Sequence, residues 1–253
     1  MLVHYTFDKD SGGKTEDLSS YGNTGKVRNA QYLKELNGRQ GVLRLNGKDS
    51  LIGCGGSPSL NFTGDLTFEM WVRGNELEKL AGVFLYWGNA FKFYCHPIPL
   101  VEYRNGKNTI RTGLNDVGNV VSDKWTHVAV VVEYPRVRVY VDGELKQDVY
   151  MPFQAVVADK GPKTIGSKCP IDLDEVRIYR RALSANEVAA HASGKELAPG
   201  DAAELAVEPN WYENVMALRV TGKGAKFRQK PFPLLFLLHT KRSFSHRSPP
   251  PFA

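Results

Sequence analysis

Apolar and polar residues alternate with period two along most of the first 180 positions of this chain. Val128, Val130 and Val132 alternate with Ala129, Val131 and Glu133, which makes a strand apolar on nearly both faces. Such a strand belongs at the centre of a two-sheet core. Val176 and Ile178 alternate with Arg177 and Tyr179, the pattern of a half-buried strand. Turn residues interrupt the alternation about every ten positions, the mark of an all-β sandwich. The predicted strands are 2–8, 25–33, 41–46, 50–54, 66–73, 82–87, 90–95, 100–104, 108–113, 125–133, 136–142, 144–150 and 171–180. Asp142-Gly143 is the strongest hairpin signal, because a tight primed turn needs positive φ. Asn105-Gly106 and Gly88-Asn89 mark two further hairpins. Trp71 and Trp125 fall within this pattern and are read as core.

The pattern changes after residue 180. Ser184 followed by Glu187 is a capping box, and it predicts a helix from 185 to 193 that Gly194 stops. From 198 a linker, APGDAAELAVEP, leads into Trp211 to Val220, which reads as the first strand of another domain. Beyond Thr221 there is neither acid nor periodicity. The expected organisation is one domain over 1–197, with 198–253 a linker and a truncated or non-native, poorly ordered tail. A basic recruitment tail is the functional alternative.

Six segments carry a resemblance. LDEVRIYRRALSANEV (173–188) is similar to the closing motif of the laminin-G-like, concanavalin A-like jelly rolls of large secreted proteins. HYTFD (4–8) resembles their opening strand, and GVLRLNGKDSLI (41–52) their strand–glycine turn–strand unit. SPSLNFTGDLTFEMWVR (57–73) resembles their loop and central strand. KWTHVAVVVE (124–133) and RVYVDGEL (138–145) resemble their long hairpin. The resemblance spans about 1–195 and implies a two-sheet antiparallel jelly roll with one short C-terminal helix. This fold hosts unrelated roles, so function must be argued from a site.

Charge excludes one class of partner. The chain carries 33 Lys and Arg against 27 Asp and Glu. Eight of those bases and none of the acids lie in 214–253, which leaves 33 − 8 = 25 bases against 27 acids in the remainder. Nucleic-acid binding needs a basic domain face, and the composition offers none. No stretch is long enough to span a membrane. No signal peptide precedes the first strand, so the chain is either cytosolic or a piece of a longer secreted or surface protein, and the resemblance favours the second. Cys54, Cys95 and Cys169 are spaced irregularly, without a CxxC zinc pattern. One disulfide with a free thiol, or three buried thiols, both fit.

The chemistry points to binding. Related sandwich glycosidases carry carboxylates in an E-x-D-x-x-E arrangement on one strand, and this chain has no such strand. Asp172, Asp174 and Glu175 belong to the closing motif, with Glu175 facing away from the two aspartates on a regular strand. No GxSxG, HExxH or P-loop occurs, and His127 reads as a satisfied core histidine. In similar sandwiches a structural calcium ties the first strand to the last. The resemblance places Asp8, Asp174 and the carbonyl of Gly47 at that position, and calcium takes such oxygen donors. The alternative is that Asp8 is a turn residue and Asp174 pairs with an arginine. Sugar sites combine aromatic platforms with amides, carboxylates and arginine. The aromatic-rich stretch 84–104 supplies Tyr86, Trp87, Tyr94, His96, Tyr103 and Arg104, and Asn115 follows in the next loop. The function expected is a non-catalytic glycan- or glycoconjugate-binding module of a larger multidomain protein, with the other domains of that chain as partners. The alternatives are a structural or adhesion spacer, or an accessory domain of a glycoside hydrolase or sulfatase.

Overall fold

The computed structural model describes residues 1–76, 82–95, 100–105, 108–113, 121–151 and 158–195, and the short strand pair 208–209 and 218–219. Its strands in chain order are β1 (Val3–Tyr5), β2 (Lys14–Thr15), β3 (Gly25–Arg28), β4 (Gln31–Leu36), β5 (Arg39–Arg44), β6 (Leu51–Gly53), β7 (Leu66–Gly74) and β8 (Gly82–Trp87). There follow β9 (Phe91–Cys95), β10 (Leu100–Asn105), β11 (Asn108–Gly113), β12 (Thr126–Glu133), β13 (Arg136–Val141), β14 (Glu144–Tyr150), β15 (Lys163–Ser167) and β16 (Ile171–Tyr179), then helix α1 (Ala185–Ala192). The first sheet runs β14-β13-β12-β7-β16-β5-β4, with β1 also paired to β16. The second runs β11-β10-β9-β8-β15-β6-β3-β2. Neighbouring strands are antiparallel throughout, and the two sheets form a jelly-roll sandwich.

One hydrophobic cluster fills the space between the sheets. Phe68, Met70, Val128, Val130, Leu173 and Ile178 point into it from the first sheet. Ile52, Leu85, Phe91, Phe93, Val101 and Ile165 meet them from the second. A smaller cluster of Ala129, Val131, Tyr140, Tyr179, Leu183 and Val188 lies on the other face of the first sheet. Its last member belongs to α1. Strand β12 is therefore apolar on both faces for two reasons: one row faces the second sheet, the other faces the helix.

Helix α1 starts where the sequence placed it. The Ser184 hydroxyl accepts from the Glu187 amide at 3.3 Å, and the Glu187 carboxylate accepts from the Ser184 amide at 2.9 Å. Arg181 clamps the same carboxylate with two guanidinium nitrogens. At the far end the Lys195 amide donates to the Ala190 carbonyl at 2.9 Å around Gly194, whose φ of +73° permits the reversal.

Several expectations need correction. The predicted strand 25–33 is two strands, and β4 and β5 form a hairpin about Asn37-Gly38, both at positive φ. Strands β2 and β15 were not foreseen. Gly166 in β15 is held at φ +75°, where a Cβ would collide with Leu45. Strand β16 is not regular: its register with β7 shifts between Asp174 and Arg177, and Glu175 has φ +50°. The bulge carries Glu175 to His4 and Arg177. Trp71 and Trp125 are only partly buried and are not members of the core cluster. They hold the Arg39 guanidinium, 4.4 Å from the Trp71 ring and 5.6 Å from the Trp125 ring. Cys54 and Cys169 are both buried, and burial pushes the Cys54 thiol up to about 12.

Candidate functional site

Alternation across β8 to β11 sorts the aromatic-rich segment into two faces. Trp87, Phe91, Phe93, Val101 and Tyr103 are buried in the core. Trp87 and Tyr103 are 1% and 2% exposed, so they are core side chains and cannot serve as ligand platforms. Trp87 meets the Phe62 ring edge-on at 5.9 Å. The opposite face carries Tyr86, Lys92, Tyr94, Glu102, Arg104 and Arg111. His96 and Asn115 lie outside the described residues. Of the residues expected to bind, Tyr86, Tyr94 and Arg104 share this outer face, and Lys92, Glu102 and Arg111 join them.

Strand register builds the centre of this face. Tyr86 pairs with Lys92, Lys92 with Glu102, and Glu102 with Arg111, which sets one row across four strands. The Glu102 carboxylate is 1% exposed. It accepts from Lys92 Nζ at 2.8 Å, Arg111 Nε at 2.6 Å and the Tyr94 hydroxyl at 3.2 Å. Arg104 Nη2 stands 3.8 Å away. Burial alone would raise the Glu102 carboxyl, but the hydrogen bonds from Lys92 and Arg111 overcome it and hold the group below its usual range. Burial and the Glu102 charge together push the Tyr94 hydroxyl up, so it stays protonated and donates. The Lys92 ammonium also lies 4.9 Å from the centre of the Tyr86 ring. Arg104 Nε is buried without a hydrogen-bond partner among the described residues.

A second concavity, about 530 Å³, opens at one end of the sandwich among Asn29, Gln31, Arg44, Asn46, Arg73 and Asn75. Three of its lining residues, Arg44, Arg73 and Asn75, contact the fully buried Asp172 carboxylate. Asn46 caps its own loop, and Asn29 binds Asp49. Most of these polar groups are already engaged within the protein.

The donors expected for calcium each have neighbours within the protein. Asp174 Oδ2 accepts from Arg39 Nε at 2.6 Å, and its Oδ1 accepts from the Glu175 amide at 2.8 Å. Asp8 packs against Gly41, and Gly47 against Pro170. Among the described residues no three His, Cys, Asp or Glu side chains are grouped to hold a metal ion. Asp174 is paired with an arginine, as the alternative reading had it. The other carboxylates of the first sheet's outer face are likewise engaged: Glu69 with His191 and Tyr179, Glu175 with His4 and Arg177. His127 is 1% exposed, yet its Nδ1 has no partner among the described residues, so it is less fully satisfied than expected.

A family model described as the concanavalin A-like lectin/glucanases superfamily, of the laminin G type, matches residues 46–189. The chain belongs to this family. A comparison with curated proteins finds no match. Among solved structures, the binding domain of Paraclostridial Mosquitocidal Protein 1 superposes with a TM-score of 0.61 at 18% identity, covering 76% of this chain and 52% of that one. Domain 4 of AbnA, a GH43 extracellular arabinanase from Geobacillus stearothermophilus, was solved with arabinotriose. It superposes with a TM-score of 0.59 at 20% identity over 76% of this chain and 97% of that one. The ligand binding domain of botulinum neurotoxin serotype D, solved with N-acetylneuraminic acid, gives 0.58 at 14% identity over 76% and 50%. The chain thus spans about half the length of the two toxin domains. At these identities the likeness shows the fold alone. Two of the three are binding domains of toxins, and the third is domain 4 of an arabinanase. Among the described residues no helix is long and apolar enough to cross a membrane.

Proposed function

We propose that the sandwich is a non-catalytic saccharide-binding module of a secreted or surface protein, and that it binds through the outer face of β8 to β11. The observation that carries this reading is the composition of that face. Two partly exposed tyrosines flank a row of fixed cations and one buried carboxylate, on strands rather than on loops. Tyrosine rings give a flat apolar surface for sugar C–H groups, and the charged groups supply oriented hydrogen bonds. Domains of similar fold solved with arabinotriose and with N-acetylneuraminic acid support a saccharide as the ligand. Glu69, Asp172, Asp174 and Glu175 of the first sheet are tied to arginine, histidine or tyrosine, which argues against a hydrolytic pair among them.

An accessory role beside a catalytic domain is favoured by one observation: the arabinanase domain is matched over nearly its whole length, 97%. The flanking coding sequence tests that role, and a glycosidase or sulfatase domain in the same frame is the outcome it expects.

Titration of the full chain with a panel of oligosaccharides by calorimetry tests the binding reading. Saturable binding is expected, and Tyr86→Ala should weaken it roughly threefold to tenfold, the size of one aromatic contact. Binding that ignores both Tyr86→Ala and Tyr94→Ala would move the site off this face.

A further inference from the structure

The charge on the outer face of β8 to β11 does not balance. Lys92, Arg104 and Arg111 surround the single carboxylate of Glu102, which leaves 3 − 1 = 2 positive charges in surplus. The first sheet's outer face has no such surplus. There Glu69, Asp172, Asp174 and Glu175 stand against Arg39, Arg44, Arg73 and Arg177. A local surplus of this kind raises the concentration of anions at the surface.

The donors of the patch are directed as well as charged. Arg111 is anchored to Glu102 through Nε alone, and its two terminal nitrogens have no partner among the described residues. Its side chain is 62% exposed, so that end of the guanidinium faces solvent. Arg104, 41% exposed, approaches Glu102 no closer than 3.8 Å and makes no side-chain hydrogen bond among the described residues. A guanidinium edge with two free nitrogens matches the two oxygens of a carboxylate or sulfate. Anchoring through Nε fixes that edge before any ligand arrives, which lowers the entropy lost on binding. Tyr94, whose hydroxyl meets the same carboxylate oxygen as Arg111, and Tyr86, whose ring lies against Lys92, are on the same face. Neutral sugar hydroxyls would leave both surplus charges unmatched.

We infer that this face selects saccharides bearing an anionic group, a carboxylate or a sulfate ester, with Arg104 and Arg111 gripping the anion and the two tyrosines the ring. The inference rests on the saccharide-binding reading and specifies its ligand class. Buried Glu102 is then a positioning residue that orients Arg111 and Lys92.

Affinity electrophoresis of the full chain through gels holding polygalacturonate, dextran sulfate, neutral arabinan or polyglutamate tests this. Retardation by the acidic polysaccharides is expected, weakening as salt screens the contact. The polygalacturonate and dextran sulfate arms separate a carboxylate from a sulfate preference. Arg104→Gln leaves every hydrogen bond to Glu102 in place and should weaken binding about tenfold, the worth of one charge-assisted hydrogen bond. Arg111→Lys keeps the charge beside Glu102 but removes the two-nitrogen edge, and should weaken it by a similar factor. Arabinan bound as tightly as polygalacturonate would overturn the anionic preference and leave the saccharide reading standing. No retardation by any polysaccharide would overturn both. Equal retardation by polyglutamate, or retardation that survives both arginine substitutions, would trace to undirected charge, the basic C-terminal segment included, and would overturn the inference.

Discussion

His127 and Asp174 carry opposite pH dependences within a few residues of one another on the first sheet. Burial pushes His127 down from 6.5 to about 4, and the nearby Glu69 charge only partly offsets it. Its folded value lies below its unfolded one, so the unfolded chain takes up the proton first. The stability it supports is complete above pH 6.5 and is lost as pH falls toward 4. A shift of that size corresponds to roughly 3 kcal/mol. Burial raises Asp174 from 3.8 to about 6, against the pull of Arg39. Its folded value lies above its unfolded one, so its contribution is complete below pH 3.8 and is lost as pH rises through 6. Between pH 4 and 6 the two cancel in part. Urea midpoints across pH 6.5 to 4 should therefore diverge for two variants. His127→Gln should lose less stability than the parent on acidification, and Asp174→Asn should lose more. Parallel curves would mean that neither group is shifted as its burial implies.

At the scale of elements, the closing unit of β16 and α1 makes the sharpest test. Val176 is fully buried in the sheet-to-sheet core, and Val176→Asp should cost several kcal/mol for a charge without a partner. Ser184→Ala should cost about 1 kcal/mol, since it removes one side of the capping box but leaves Arg181 on Glu187. Thermal melts would show the order, and a worse serine variant would contradict the placement of the helix. This unit was legible because its signals are local: alternation, a cap three residues from its partner, a terminal glycine. Strand β15 was not legible. Ile165 is its one apolar residue, and neighbours on both sides, β8 and β6, supply its order. The Glu175 bulge was hidden because two acids in succession leave the alternation of Val176 and Ile178 intact. The candidate site was half legible for the same reason. Tyr86, Tyr94 and Arg104 share the outer face, but which parity faces inward depends on the partner sheet, and Trp87 and Tyr103 fell on the core side. Lys92, Glu102 and Arg111 come together only through the register of three strands. The traces available were the polar pairs two apart, Lys92 with Tyr94, Glu102 with Arg104 and Thr109 with Arg111.

At the scale of the whole molecule, the contacts that close the sandwich among the described residues lie within 1–195. The Leu2 amide donates to the Ile178 carbonyl, and β1 pairs with β16 over Val3–Ile178 to Tyr5–Val176, so the first strand and the last seal each other. The core cluster draws its members from Leu2 through Ile178, and the helix cluster adds Leu183 and Val188. The last turn of α1 ends with its carbonyls satisfied from Ser193, Gly194 and Lys195. Nothing in these contacts calls on a residue beyond 195. A chain ended at Leu197 should therefore keep its melting transition to within about 1 kcal/mol of the full chain, the scale of an ordinary surface change. It should also keep its affinity for a neutral test saccharide, since Tyr86 and Tyr94 lie on β8 and β9. Its affinity for acidic polysaccharides should fall only by what the eight bases of 214–253 add through screening-sensitive attraction. A transition well below that of the full chain would show that the C-terminal segment packs on the sandwich. The domain would then extend past the point at which the capping of α1 indicates it ends.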